Sequence, residues 1–252
     1  MEPAELQKNC FGHCQDCGRE HSLGEGNAHE HARALMEEFQ RIRRLDYTVP
    51  DKDADPRLSF DHLFPGERGH MFGVLECRDE AGETVVLRAF SSLHDGVRTV
   101  DGWVPPILSD EVFNELVLPG QIEIKRLTRA INALDHSSQQ RAKLSEERKK
   151  ISQGLMPEIH SRYHLRNFRG ETRLLEDAFI RPHGLPGGVG DCCGPKLLQH
   201  AAVNGLGPVG LAEFYWGGPH KSGTRQPGRF YPCCEEKCQP ILGFMLCGLE
   251  NV

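Results

Sequence analysis

Two cysteine clusters lie close together in the last quarter of this 252-residue chain: Asp191-Cys192-Cys193-Gly194-Pro195-Lys196 and Tyr231-Pro232-Cys233-Cys234-Glu235-Glu236-Lys237-Cys238. Grouped thiolates are soft ligands for zinc, and clusters in a chain without a secretory leader point to metal rather than to a disulfide framework. Zinc held by three protein ligands keeps a fourth position open, where bound water ionises near pH ~7. The expected chemistry is therefore hydrolytic. Cys234 and Cys238 are one helical turn apart and share a face, whereas Cys233 and Cys238, five apart, converge less well. A third thiol from the first cluster, Cys192 or Cys193, completes a three-cysteine site.

A second group lies at the other end of the chain. Cys14-x-x-Cys17 is a zinc-type knuckle, and His21 with Cys10 or His13 could complete four ligands of a structural site. Cys77 and Cys247 stand alone in apolar runs and read as inert core thiols.

The elements that position these residues follow from periodicity. Residues 1–31 form a Cys/His-rich head. Asn27 can cap a helix running to about Leu45, with Leu35, Met36, Phe39 and Ile42 on one stripe. Residues 70–90 read as a β-hairpin turning at 80–83. Residues 110–170 form a helical insertion, and its third helix has little apolar face. Asp191 can cap a helix over 192–203, a strand spans 210–216, a short helix covers 232–238, and the apolar run 240–247 reads as a closing strand. Without the insertion the order is α-β-β-α-β-α-β. That suits an α/β protein of three layers, helices on both sides of a mixed sheet, with residues 32–252 as its main domain.

With 38% hydrophobic and 26% charged residues the composition is that of an ordinary globular chain. No run approaches a membrane span and no basic-then-apolar leader opens the sequence, so the expected location is cytoplasmic, with no membrane partner. Charge is uneven: 125–169 carries a local balance of +7 in a chain whose net charge is −6. A local basic face on an acidic body suits phosphate contacts. The candidate RNA-binding residues are Lys149, Lys150, Arg162 and Arg166 in that segment. Lys221, Arg225 and Arg229 lie on the loop before the second cluster, and Tyr215 and Trp216 could stack an extruded base.

The strings GVGDCCGPKLLQHA, GLAEFYWGG and GRFYPCCEEKCQPILGFMLCG, together with CFGHCQDCGREHSL, RGHMFGVL and RYHLRNFRGE, resemble a domain found within long RluA-type RNA pseudouridine synthases. The resemblance covers nearly the whole chain. It implies a cytidine-deaminase-like fold and zinc-dependent conversion of cytidine to uridine in RNA, with tRNA the expected substrate and a separate pseudouridine synthase a candidate partner. The synthase's own Arg-Leu-Asp motif has only Arg44-Leu45-Asp46 to match it, at a predicted helix end, so the expectation is the deaminase part alone. In the zinc deaminases of this type a His/Cys-x-Glu motif, followed in some members by Pro-Lys, precedes a Pro-Cys-x-x-Cys motif. Aligning Pro195-Lys196 makes Cys192 the ligand, with Cys193 in reserve, beside Cys234 and Cys238. The chain departs from the pattern where Gly194 replaces the proton-carrying Glu, and where the second motif reads Pro-Cys-Cys-x-x-x-Cys. A carboxylate must still move the proton. Glu213, a lone acid inside the apolar run LAEFYW, is the first candidate, and Asp191 the second. The missing Glu also sustains an alternative: a non-catalytic, zinc-containing RNA-binding module that assists a synthase.

Overall fold

The computed structural model describes residues 10–64, 69–135, 137–181, 184–220 and 222–249. Its centre is a sheet of β3 (Gly69–Arg78), β4 (Thr84–Phe90) and β7 (Gly207–Gly217). Strand β3 lies in the middle and pairs antiparallel with both neighbours, Phe72 facing Phe90 on one side and Phe214 on the other. The remaining strands form two small hairpins, β1 (Cys10–Cys14) with β2 (Arg19–Leu23) and β5 (His164–Arg166) with β6 (Thr172–Leu174). All pairings among the described strands are antiparallel, which corrects the expected mixed sheet.

Alternation along the strands divides the core in two. Phe72, Val74, Ala212, Phe214 and Trp216 face α1 (Ala28–Ile42), whose Ala28, Ala32, Leu35 and Phe39 form its buried stripe. Phe39 is the hub there, its ring 4.6 Å from that of Phe60 and 4.9 Å from that of Phe72. Burying such a side chain contributes about 1.5–3 kcal/mol. The opposite face carries Leu75, Cys77 and Leu211 and packs on α6 (Cys193–Val203) through Leu197, Leu198 and Ala201. The sheet thus has helix on both faces.

A short helix α2 (Asp110–Val112) runs through a π-helical turn into α3 (Leu118–Asn132), which packs against α4 (Gln139–His160). These are the helices expected in the insertion. A single turn α5 (Leu175–Ala178) follows β6.

The C-terminal run departs from expectation. Residues 239–245 form helix α7 (Gln239–Met245), not a strand, and the residues before it, 235–238, make a turn. A short continuous apolar run fits a buried strand or a buried helix equally well by pattern. Pro240 in the first helical turn, where its missing N–H costs nothing, favours the helix. Every residue from Pro240 to Met245 is buried, so no polar face marks the period. The head also gains structure that composition did not suggest, because β1 and β2 form a ribbon with the Cys14-x-x-Cys17 knuckle at its tip. That ribbon docks on α7 where Gly12 meets Gly243. A Cβ on Gly243 would overlap the His13 carbonyl, so the close approach requires glycine. No helix among the described residues is long and apolar enough to cross a membrane.

Candidate metal centres

Cys192 occupies the N-cap of α6, and Cys234 and Cys238 lie on the turn leading into α7. The two helices are neighbours, and their cysteines meet. The sulfurs of Cys192, Cys234 and Cys238 all fall within 4.8 Å of one another, a separation that could hold a metal ion. The Cys234 and Cys238 sulfurs are 3.3 Å apart. Hydrogen bonds from Cys192 and Cys238 hold the Cys234 thiol far below its ordinary pKa, while the other two thiols are pushed up, Cys192 chiefly by sharing its proton with Cys234. Three soft sulfurs brought this close form a donor set that can exchange protons for a cation. Cys238 is buried, and Cys192 and Cys234 are half-buried.

Cys193 does not join them. As the first residue of α6 it points to the sheet, and its thiol donates to the Met71 carbonyl at 3.2 Å. Cys192→Ser is therefore expected to lose the metal of this centre and Cys193→Ser to retain it, read as metal content per chain. Asp191 does not cap α6 either. Its carboxylate accepts the Tyr163 hydroxyl at 2.7 Å, in the wall of a cavity of about 250 Å³ that Arg98, Phe113, Met156 and Lys196 also line.

Glu213, the first candidate for the proton carrier, lies against the first turn of α6. Alternation on β7 sends it to the α6 face, and its Oε1 accepts the Gly194 N–H at 2.7 Å. It is 5% exposed, and burial raises its pKa to about 7 against the opposing pull of the Gly194 and Cys233 hydrogen bonds. Gly194 and Glu213 fit together: a Cβ on residue 194 would stand 3.6 Å from Glu213 Oε1 and 2.8 Å from the Cys233 sulfur. A glutamate at 194 would collide with Cys233, and the space such a side chain would enter already holds the carboxylate from β7. Cys233 is in turn hydrogen-bonded to Cys10, so Cys10 serves this centre rather than the N-terminal one.

The second group also differs from expectation. Cys14, Cys17 and His21 gather with Cys247, not with Cys10 or His13, and their ligand atoms lie within 4.8 Å of one another. The Cys17 and Cys247 sulfurs are 3.2 Å apart, and His21 Nε2 is buried with no hydrogen-bond partner, as a nitrogen awaiting a cation would be. His13 is exposed on β1. Cys247 reads from sequence as a core thiol because its partners are more than 220 residues away. Only the folding of 239–245 as a helix, with Cys247 just beyond it, brings it to the knuckle.

The proposed RNA contacts are dispersed. The Arg225 guanidinium lies 4.2 Å from the centroid of the half-buried Tyr231 ring, and the Tyr231 N–H bonds the Glu213 carbonyl at 2.9 Å. These two therefore border the thiol centre. Arg229 is exposed on the same segment, Lys149 and Lys150 are exposed on α4, Arg162 is exposed beyond it, and Arg166 is half-buried on β5. Lys221 lies outside the described residues. Tyr215 and Trp216 are not available to stack a base: both are buried, and the Tyr215 hydroxyl accepts the Gly69 N–H at 2.7 Å.

No protein-family model matches this chain, and no curated protein or solved structure is significantly similar to it.

Proposed function

We propose that the chain is a zinc-dependent deaminase that converts cytidine to uridine in structured RNA, with tRNA the expected class. The observation that carries this reading is the contrast between its two cysteine centres. One offers four ligands and is complete, as structural zinc sites are. The other offers three thiols, one ligand short of a closed tetrahedral site, and has a buried carboxylate near it, which is the composition of a hydrolytic site.

Deamination adds water at C4 of the cytosine ring and releases ammonia. Zinc on Cys192, Cys234 and Cys238 would supply an activated water at neutral pH. Glu213 would carry that water's two protons in turn, the first to the ring nitrogen as the oxygen adds at C4 and the second to the amine as it departs. Its hydrogen bond to the first turn of α6 fixes the carboxylate, and the Cys10–Cys233 pair supports it from behind. Arg225, stacked on Tyr231, offers a guanidinium to an RNA phosphate at the rim. The fold reading rests on the same arrangement: a hairpin, then a cysteine-capped helix, a strand and a second cysteine-bearing helix start, in the order that a cytidine-deaminase-like domain has.

The test is incubation of zinc-loaded protein with a cellular tRNA pool, followed by sequencing for C-to-U changes. Conversion at defined positions is expected, and free cytidine should be a poor substrate. Binding of the pool with no conversion would favour the non-catalytic module instead.

A further inference from the structure

A third group of metal-ligating side chains contains no cysteine. His62 sits in the 3-10 turn Asp61–Leu63, His70 near the start of β3, and His94 in the turn after β4. One nitrogen from each falls within 4.8 Å of the others. The rings crowd together, with His94 4.7 Å from His62 and 5.6 Å from His70 between centroids.

The most informative member is His94, which has no exposed surface. Its Nε2 lies 3.2 Å from the Ser59 carbonyl, which can only accept, so Nε2 carries the hydrogen and Nδ1 the lone pair. That Nδ1 is buried without a partner. A backbone carbonyl holding one nitrogen and a free lone pair on the other is how proteins present histidine to a metal. The turn is also held firmly: His94 and Val97 exchange backbone hydrogen bonds of 2.9 and 2.8 Å. Ser92 and Asp95 flank it at φ of 54° and 44°, a region that non-glycine residues rarely occupy.

We propose that His62, His70 and His94 form a binding site for a first-row divalent cation of the zinc type. Three imidazole nitrogens suit zinc, cobalt or nickel and suit magnesium or calcium poorly. His62 is exposed, so the ion keeps a solvent-facing position. It would tie the 3-10 turn at 61–63 to the edge of the sheet where β3 begins and β4 ends. The site uses no thiol and does not depend on the deaminase reading.

Titration of the metal-free full-length chain with Co²⁺ tests it, because cobalt on thiolates gives a charge-transfer band that cobalt on imidazoles lacks. The expected result is an equivalent of cobalt taken up without any gain in that band. His62→Ala and His70→Ala should each weaken this uptake on the order of 100-fold or more, since even outer-shell changes cost ~10–100-fold. The thiolate band should be unchanged, and the exposed position of His62 guards against a folding defect. Absence of a thiolate-silent equivalent in the wild-type chain, or wild-type affinity in both variants, would overturn the proposal.

Discussion

Glu213→Gln is expected to abolish C-to-U conversion while leaving the metal content of the Cys192, Cys234 and Cys238 centre unchanged. The amide is nearly isosteric and its oxygen can still accept the Gly194 N–H, so the helix start and the packing against Cys233 survive. What is lost is the ability to carry a proton. General acid–base catalysis contributes roughly 10²–10⁴-fold, and in this reaction the same carboxylate serves both the attack and the departure of the amine, so a loss near the upper end is expected in kcat. Asp191→Asn should have a much smaller effect, because its carboxylate is engaged by Tyr163. Full activity in Glu213→Gln would remove the carboxylate from the mechanism.

The pH profile carries the same argument. Burial raises the free Glu213 carboxyl to about 7, and a cation on the neighbouring thiolates draws it down from there. The shuttle must begin ionised, so kcat/KM is expected to rise with pH through this ionisation, and that limb should vanish in the Gln variant's residual activity. The effect on stability has the opposite sense. An acid whose pKa is raised on folding binds more protons in the folded chain, so its contribution diminishes as pH climbs from the unfolded value towards the folded one.

The parts of this fold that were legible in the sequence are those with a clear period or a clear turn. The stripe Leu35–Phe39 marked α1, and two apolar runs about the polar turn at 80–83 marked the β3–β4 hairpin. Glu213 could be singled out because a lone acid in an apolar strand needs a reason, and a neighbouring helix N-terminus supplies one. What was illegible shares one cause, the run 240–247. Uniformly apolar and fully buried, it has no polar face to reveal its period. Reading it as a strand hid both the docking of the head and the place of Cys247. The three histidines were invisible for a related reason: His62, His70 and His94 belong to three elements, and only the return of β4 along β3 brings the last of them to the first two. Adjacent cysteines misled in a smaller way. Cys192 and Cys193 look equivalent as a pair, but consecutive residues at a helix start point apart, one to the metal centre and one to the sheet.

Cys247→Ser and Cys17→Ser are expected to cost one metal equivalent each and a large share of the chain's stability, whereas His13→Ala and Cys10→Ser should leave the metal content of the N-terminal centre intact. The reasoning begins with what holds the head in place. The β1–β2 ribbon is two strands of five residues, too little to be stable alone. It depends on its seat against α7 and on the ligand set that joins Cys14, Cys17 and His21 to Cys247. Binding free energy at a structural zinc becomes folding free energy, ~10–16 kcal/mol in small zinc-dependent peptides. Here the contacts with α7 supply part of the fixing, so the expected loss is smaller, about 4 kcal/mol, still well above the ~1 kcal/mol of an ordinary substitution. For a chain of this size that corresponds to a fall in Tm on the order of 10 °C. A chelator should reproduce the fall in the wild-type chain and add little in either Ser variant. Cys17 is the cleaner probe, since it is only half-buried and its replacement opens no core cavity. Because Cys10 on the same ribbon backs Glu213 through Cys233, loosening the head should also lower activity without removing metal from the Cys192 centre. If His13→Ala lost the ion and Cys247→Ser kept it, the ligand set would be the one that spacing alone suggests.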